Sequence, residues 1–172
     1  MILWIVGLSG AGKTTLAREV LARWKVRDRA TVLVDGDEMR GIFNADKEVG
    51  AHSIAGRRQN AERIVALCAW LDRQGINAVC ALLSIFPDLM AENRRRFGAY
   101  FEVFLDAPLD ILEARDSKGL YAGARAGTMR DVVGVDIPFP RPANADMVVR
   151  NDAATFPVAS VATEILDRIG VR

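Results

Sequence analysis

Gly7-Leu8-Ser9-Gly10-Ala11-Gly12-Lys13-Thr14 fills the pattern G-x-x-x-x-G-K-[ST] at every fixed position. The chemistry of that spacing is phosphate binding. Glycines let a loop turn its backbone N–H groups around phosphate oxygens, and a helix beginning at the lysine adds its positive end to the same anion. Lys13 would reach the outer phosphates of a nucleotide triphosphate, and the Thr14 hydroxyl would hold Mg²⁺. A ligand-free glycine-rich turn is the plain alternative, but the flanks argue for the site: the apolar run Ile2 to Val6 precedes the loop and the helix-like Thr15 to Leu21 follows it.

A second reactive group is Asp35-Gly36-Asp37. Two carboxylates there could hold hydrated Mg²⁺ or accept a proton from an attacking hydroxyl. They also suit a helix start before Glu38-Met39-Arg40, so both readings stand at this point. Arg57, Asn60 and Arg63, three residues apart, share one helical face, which is either solvated or suited to an anion. The single histidine, His52, lies in an aperiodic stretch and reads more readily as a surface or structural residue than as a functional one. Residues 116–134 hold four glycines, and Arg115, Lys118, Arg125 and Arg130 are spread along this region. A basic, glycine-rich segment of that length reads as a mobile lid over phosphates, or else as a flexible surface loop.

These groups need elements to bring them together. Short apolar runs at Ile2 to Val6, Thr31 to Val34, Ile76 to Leu83, Phe101 to Leu105 and Met147 to Val149 predict five buried strands. Helical patterns lie between them. One runs from the phosphate loop to near Trp24, and one from Arg57 carries Ile64, Leu67, Cys68 and Leu71 on one face and closes at Gln74-Gly75. Others span Asp88 to Phe97, Leu109 to Arg115 behind Pro108, and Val158 to Ile169. Strands alternating with helices after a phosphate loop imply an α/β, three-layer P-loop NTPase fold with a central parallel five-stranded sheet. One domain, residues 1–172, is expected, with ligands at the C-terminal edge of the strands.

The bulk composition excludes several function classes. Twenty-three Lys and Arg against 22 Asp and Glu leave a formal net charge of +1 over 172 residues. No overall field favours nucleic acid or an anionic membrane, so neither is an expected partner. Cys68 and Cys80 have no metal-site spacing and read as buried free thiols in a reducing compartment. With no basic leader before the first apolar run and no apolar stretch near 18 residues, a cytoplasmic protein is expected. A guanine-reading Asn-Lys-x-Asp segment is missing from the sequence, since Asn44-Ala45-Asp46-Lys47 has the letters in another order. A kinase, which must exclude water from phosphoryl transfer, fits a small chain with a basic lid better than a switch protein or a motor.

Longer motifs are more specific. GLSGAGKTT from Gly7, DGDEMR from Asp35, RRQN from Arg57, RDSKGLYAGARAG from Arg115 and VGVDIP from Val133 together resemble adenylylsulfate (APS) kinase, in order, over about residues 1–149. The resemblance implies transfer of the γ-phosphate of MgATP to the ribose 3′-hydroxyl of a nucleotide, with ATP and Mg²⁺ as cofactors. It implies that Gly10, Ala11, Gly12, Lys13, Thr14 and Thr15 hold the ATP phosphates, with Arg115 beside the ATP base and Thr14 and Asp35 at the metal. Lys13, Asp35, Asp37 and Lys118 would carry the chemistry. Asp37, Arg40, Arg57, Asn60, Ser84, Ile85, Lys118 and Leu120 would contact the acceptor nucleotide. A homodimer is compatible with it.

The segments on the acceptor side depart from the family pattern. Asp46 to Ser53 replaces D-L-G-F-S without its phenylalanine, Ser84-Ile85-Phe86 replaces S-P-Y, and Val132-Val133-Gly134-Val135-Asp136 replaces F-T-G-x-D. Two acceptors therefore stay open: APS, and a cytidine nucleotide such as cytidine diphosphoramidate. A non-catalytic nucleotide-binding module is a third reading.

Overall fold

The computed structural model describes residues 1–116, 118–152 and 155–171. Ser117, inside the expected lid, lies outside the described residues.

Five parallel strands form one sheet in the order β2-β3-β1-β4-β5: β1 Ile2–Val6, β2 Thr31–Asp35, β3 Asn77–Leu82, β4 Tyr100–Asp106 and β5 Met147–Arg150. β1 is central. It pairs from Ile2 to Val6 with Ala78 to Leu82 on one side and with Tyr100 to Phe104 on the other. All five of its residues are buried, which is why it reads as an unbroken apolar run rather than an alternating one. Its side chains divide by the strand period. Leu3 and Ile5 join a core with Leu16, Val20, Leu112, Tyr121 and Ile165, whereas Ile2, Trp4 and Val6 join one with Ile64, Val65, Cys68 and Met90.

Those two cores define the outer layers. On the first face lie α1 Lys13–Arg27, α5 Leu109–Ala114, α6 Leu120–Arg125 and α7 Val158–Arg168; on the second lie α3 Ile54–Arg73 and α4 Pro87–Arg96. α2 Gly36–Ile42 follows β2 directly and buries Met39 in the second core. The three-layer parallel architecture expected from the sequence is present, with all five strands in place.

Three local expectations need revision. α1 continues past Trp24 to Arg27, because Lys25 and Arg27 are good helix formers and their charge suits the negative end of the helix. α3 begins three residues before Arg57: Ser53 caps it by accepting from the Gly56 N–H, and a 3₁₀ turn, Ala45–Lys47, occupies part of the preceding stretch. The glycine-rich segment after Arg115 is not irregular throughout. It contains α6, whose first N–H groups at Leu120, Tyr121 and Ala122 all donate to the Asp116 carboxylate.

Cys68 and Cys80 are free and buried, with their sulfurs 3.6 Å apart. Among the described residues no helix is long and apolar enough to cross a membrane.

Candidate active site

The phosphate loop leaves β1 at Gly7 and enters α1 at Lys13. Only glycine fits at the start, because a Cβ on Gly7 would lie 2.6 Å from the Leu105 carbonyl oxygen. Lys13 Nζ donates to the Leu8 carbonyl at 2.7 Å, within the loop itself. Burial lowers its pKa to about 8, against the opposing pull of Asp37 and Asp35. A buried, partly desolvated ammonium facing a loop of N–H groups is prepared for a multiply charged anion.

Asp35 ends β2 and serves two purposes at once. One carboxylate oxygen accepts the Asp37 N–H at 2.9 Å, capping α2, and the other accepts the Thr14 hydroxyl at 2.6 Å. The helix-cap reading of Asp35 therefore holds, and because a carboxylate has two oxygens the cap leaves the second one facing Thr14. Thr14 and Asp35 form a pair of hard oxygen donors beside the phosphate loop, the donor type Mg²⁺ prefers. No cluster of three or more His, Cys, Asp or Glu that could cage a metal occurs among the described residues. A cation here would keep waters and take phosphate oxygens, as Mg²⁺ commonly does.

Asp37, in the first turn of α2, meets Lys118 at 2.7 Å across the cavity mouth. The bond to Lys118 holds the Asp37 carboxyl below its ordinary range; burial opposes this, and Lys13 and Arg40 add to it. Both side chains are largely exposed, so the pair is a contact of the mouth and not a buried bridge.

Farther in, Arg40 Nη1 donates to the Ala51 carbonyl at 2.9 Å. Arg57 donates from Nε to His52 O and from Nη2 to Asp131 O, both at 2.7 Å. One guanidinium thus joins the segment before α3 to the segment after α6. Burial and the nearby Arg40 charge lower the Arg57 pKa, so two like charges are held together in a place that an anion would relieve. Burial, with Arg40 and Arg57, likewise lowers the His52 pKa and favours its neutral form. Asn60 is 5% exposed and its Oδ1 has no hydrogen-bond partner among the described residues.

These side chains face one cavity of about 630 Å³ at the C-terminal edge of the sheet. Of the residues singled out by sequence, it collects Gly10, Gly12, Lys13, Thr14, Thr15, Asp35, Asp37, Arg40, Arg57, Asn60, Ser84, Lys118 and Leu120. Three others that the resemblance assigns to the site stand outside its lining. Ala11 is fully buried behind the loop, Ile85 packs with Phe86, Leu89, Val133 and Ile137, and Arg115 occupies the C-terminal cap of α5. Arg63, on the same helix as Arg57, pairs with Glu48 instead.

Sequence reasoning missed Trp4, Met129 and Asp131, and assigned His52 elsewhere, yet all four line the cavity. Trp4 reads as one more apolar strand residue, and only the face it shares with α3 reveals its place. Asp131 carries a signal of another kind, a positive φ of 62° that sequence does not display.

A family model described as adenylylsulphate kinase matches residues 1–150. The chain belongs to the adenylylsulfate kinase family. Among curated members, the adenylyl-sulfate kinase of Paraburkholderia xenovorans is 37% identical over 158 residues, covering 88% of this chain and 83% of that protein. The bifunctional enzyme CysN/CysC of Xylella fastidiosa is 36% identical over 172 residues, and this chain spans 27% of its length. Among solved structures, the APS kinase CysC of Mycobacterium tuberculosis in complex with AMPPNP and APS superposes with a TM-score of 0.82 at 33% identity, covering 96% of this chain and 95% of that one.

Proposed function

We propose that this chain transfers the γ-phosphate of MgATP to the 3′-hydroxyl of adenosine 5′-phosphosulfate. The observation that carries the reading is a single cavity where the phosphate loop, the Asp37–Lys118 pair and the arginines Arg40 and Arg57 converge. The relatives named adenylyl-sulfate kinase, and the similar APS kinase structure, favour APS over a cytidine-type acceptor.

Each residue then has a task. Gly10, Ala11, Gly12 and Thr15 belong to the stretch that cradles the phosphates, and Lys13 exchanges the Leu8 carbonyl for phosphate oxygen. Thr14 and Asp35, already paired through a hydrogen bond, would hold Mg²⁺, whose charge would offset that of the transferring group. The acceptor 3′-hydroxyl gives its proton to Asp37 as its oxygen attacks the γ-phosphorus, and ADP departs. Lys118 and Leu120 close over the reacting groups, with residues 116–134 acting as the lid that excludes water. Arg40, Arg57 and Asn60 hold the acceptor, the arginines giving up backbone carbonyls for its anionic tail. Ser84 with Ile85 behind it shapes the site of the 5′ group, and Arg115 flanks the ATP base.

The test is to incubate the protein with MgATP and either APS or cytidine diphosphoramidate, and to identify the product by anion exchange and mass spectrometry. The expected product is 3′-phosphorylated APS. Transfer to the cytidine compound alone would change the acceptor, and transfer to neither would leave a binding module.

A further inference from the structure

Two peptide groups of the phosphate loop are held from behind by side chains remote in sequence. Tyr121, on α6, is 2% exposed, and its hydroxyl donates to the Ser9 carbonyl at 2.8 Å. Asn151, just beyond β5, is 4% exposed, and its Nδ2 donates to the Ala11 carbonyl at 2.9 Å. Each grips the carbonyl that immediately precedes a loop glycine.

A trans peptide is planar, so its C=O and N–H point in opposite directions. No peptide bond of the described residues is cis. Tyr121 and Ala11 belong to the core behind the loop, and the cavity lies in front. Drawing Ser9 O back therefore turns the Gly10 N–H forward, and drawing Ala11 O back turns the Gly12 N–H forward. Gly10 and Gly12 both line the cavity, and their N–H groups have no backbone partner among the described residues. Their φ values of 77° and 94° are ones that side-chain-bearing residues rarely adopt, so the loop needs support in this shape. Asn151 gives that support at contact distance: a Cβ on Gly12 would come within 3.3 Å of its Nδ2.

We propose that Tyr121 and Asn151 are positioning residues for the phosphate cradle, orienting the Gly10 and Gly12 N–H groups so that a triphosphate meets donors already aimed at it. The proposal rests on reading this loop as the nucleotide site. Its physical content is preorganisation: donors fixed before the anion arrives need no rearrangement on binding and none as charge shifts during transfer. Tyr121 also follows Lys118 by three residues on the chain, so one short segment touches both the cradle and Asp37. Neither residue reaches the cavity lining itself, which is why both act through the loop's carbonyls.

The experiment compares Tyr121→Phe and Asn151→Leu with the wild type and with Lys13→Ala. Calorimetry measures binding of ATP, inorganic tripolyphosphate and adenosine, and thermal melting checks the fold. Losing one oriented hydrogen bond should weaken ATP and tripolyphosphate about 3- to 10-fold while leaving adenosine unchanged. In turnover, KM for ATP should rise and KM for the acceptor should not. A merely structural role predicts a lowered Tm with no preference for phosphate-bearing ligands. Unchanged tripolyphosphate affinity in a folded Tyr121→Phe, or an equal loss for adenosine, overturns the proposal. Should Asn151→Leu fail to fold, Tyr121→Phe decides alone. If the wild type binds neither ATP nor tripolyphosphate, the nucleotide-site reading falls as well; if Lys13→Ala loses affinity and Tyr121→Phe does not, only the positioning role fails.

Discussion

Lys13 concentrates the electrostatics of the site in one amine. Its pKa, lowered by burial to about 8, means that the free protein loses this charge as pH rises past that value. Polyphosphate binds the charged form, so nucleotide affinity should fall as pH rises through about 8, with proton uptake on binding that calorimetry in buffers of different ionisation enthalpy would detect. Lys13→Ala should lower turnover by about 10² to 10³, the scale for removing one donor to transition-state charge. Asp37 makes a different prediction because it faces Lys118 and not the loop carbonyls. Asp37→Asn keeps the size and removes the base, so turnover should drop by at least about 10² while KM for ATP stays within about twofold. An unchanged turnover in steady-state assays would take Asp37 out of the chemistry.

At the scale of elements, the decisive pieces are short. α6 has six residues and an isolated helix of that length does not hold in water. Three N–H groups on the Asp116 carboxylate and the buried Tyr121 ring hold it in place. Asp116→Ala should therefore cost about 1 to 2 kcal/mol, the upper part of the range for losing a cap. The loss should be local, read as faster amide exchange at Leu120 to Ala122 with the exchange of β1 unchanged. Sequence did mark this segment as special by its glycines and charges. It did not show the helix, since the capping carboxylate lies four residues before the first residue it holds and six before the last.

For the whole molecule, the two apolar layers on either side of the sheet set stability, and one buried acid away from the cavity makes it pH-sensitive. Glu102, on β4, is 3% exposed; burial raises its pKa, while the Tyr100 hydroxyl bond and Arg94 oppose the rise. The fold thus favours the protonated acid. Its contribution to stability is complete below the ordinary glutamate pKa and is lost as pH rises through the raised folded value. Glu102→Gln, which cannot ionise and can still accept from Tyr100, should gain in Tm relative to the wild type as pH is raised from about 4 to 7. Parallel melting curves for the two proteins across that range would refute the assignment.

Sequence alone determined the phosphate loop, the strand–helix alternation and the family resemblance, because each is written in residues adjacent along the chain or repeated at a fixed period. Gly7 to Thr14 needs no distant partner to be recognised, and Ile2 to Val6 announces a two-sided burial by its unbroken apolarity. Tertiary structure decided which side chains meet. Thr14 and Asp35 are 21 residues apart and share a hydrogen bond, Asp37 and Lys118 are 81 apart, and Ala11 and Asn151 are 140 apart. Parallel pairing brings every strand's C-terminal end to one edge, and a parallel crossover consumes a helix each time, so the residues of the site are necessarily far apart in the chain. The same geometry puts Trp4 and His52 against the cavity and leaves Arg115 and Ile85 outside its lining, distinctions that residue type and spacing do not encode.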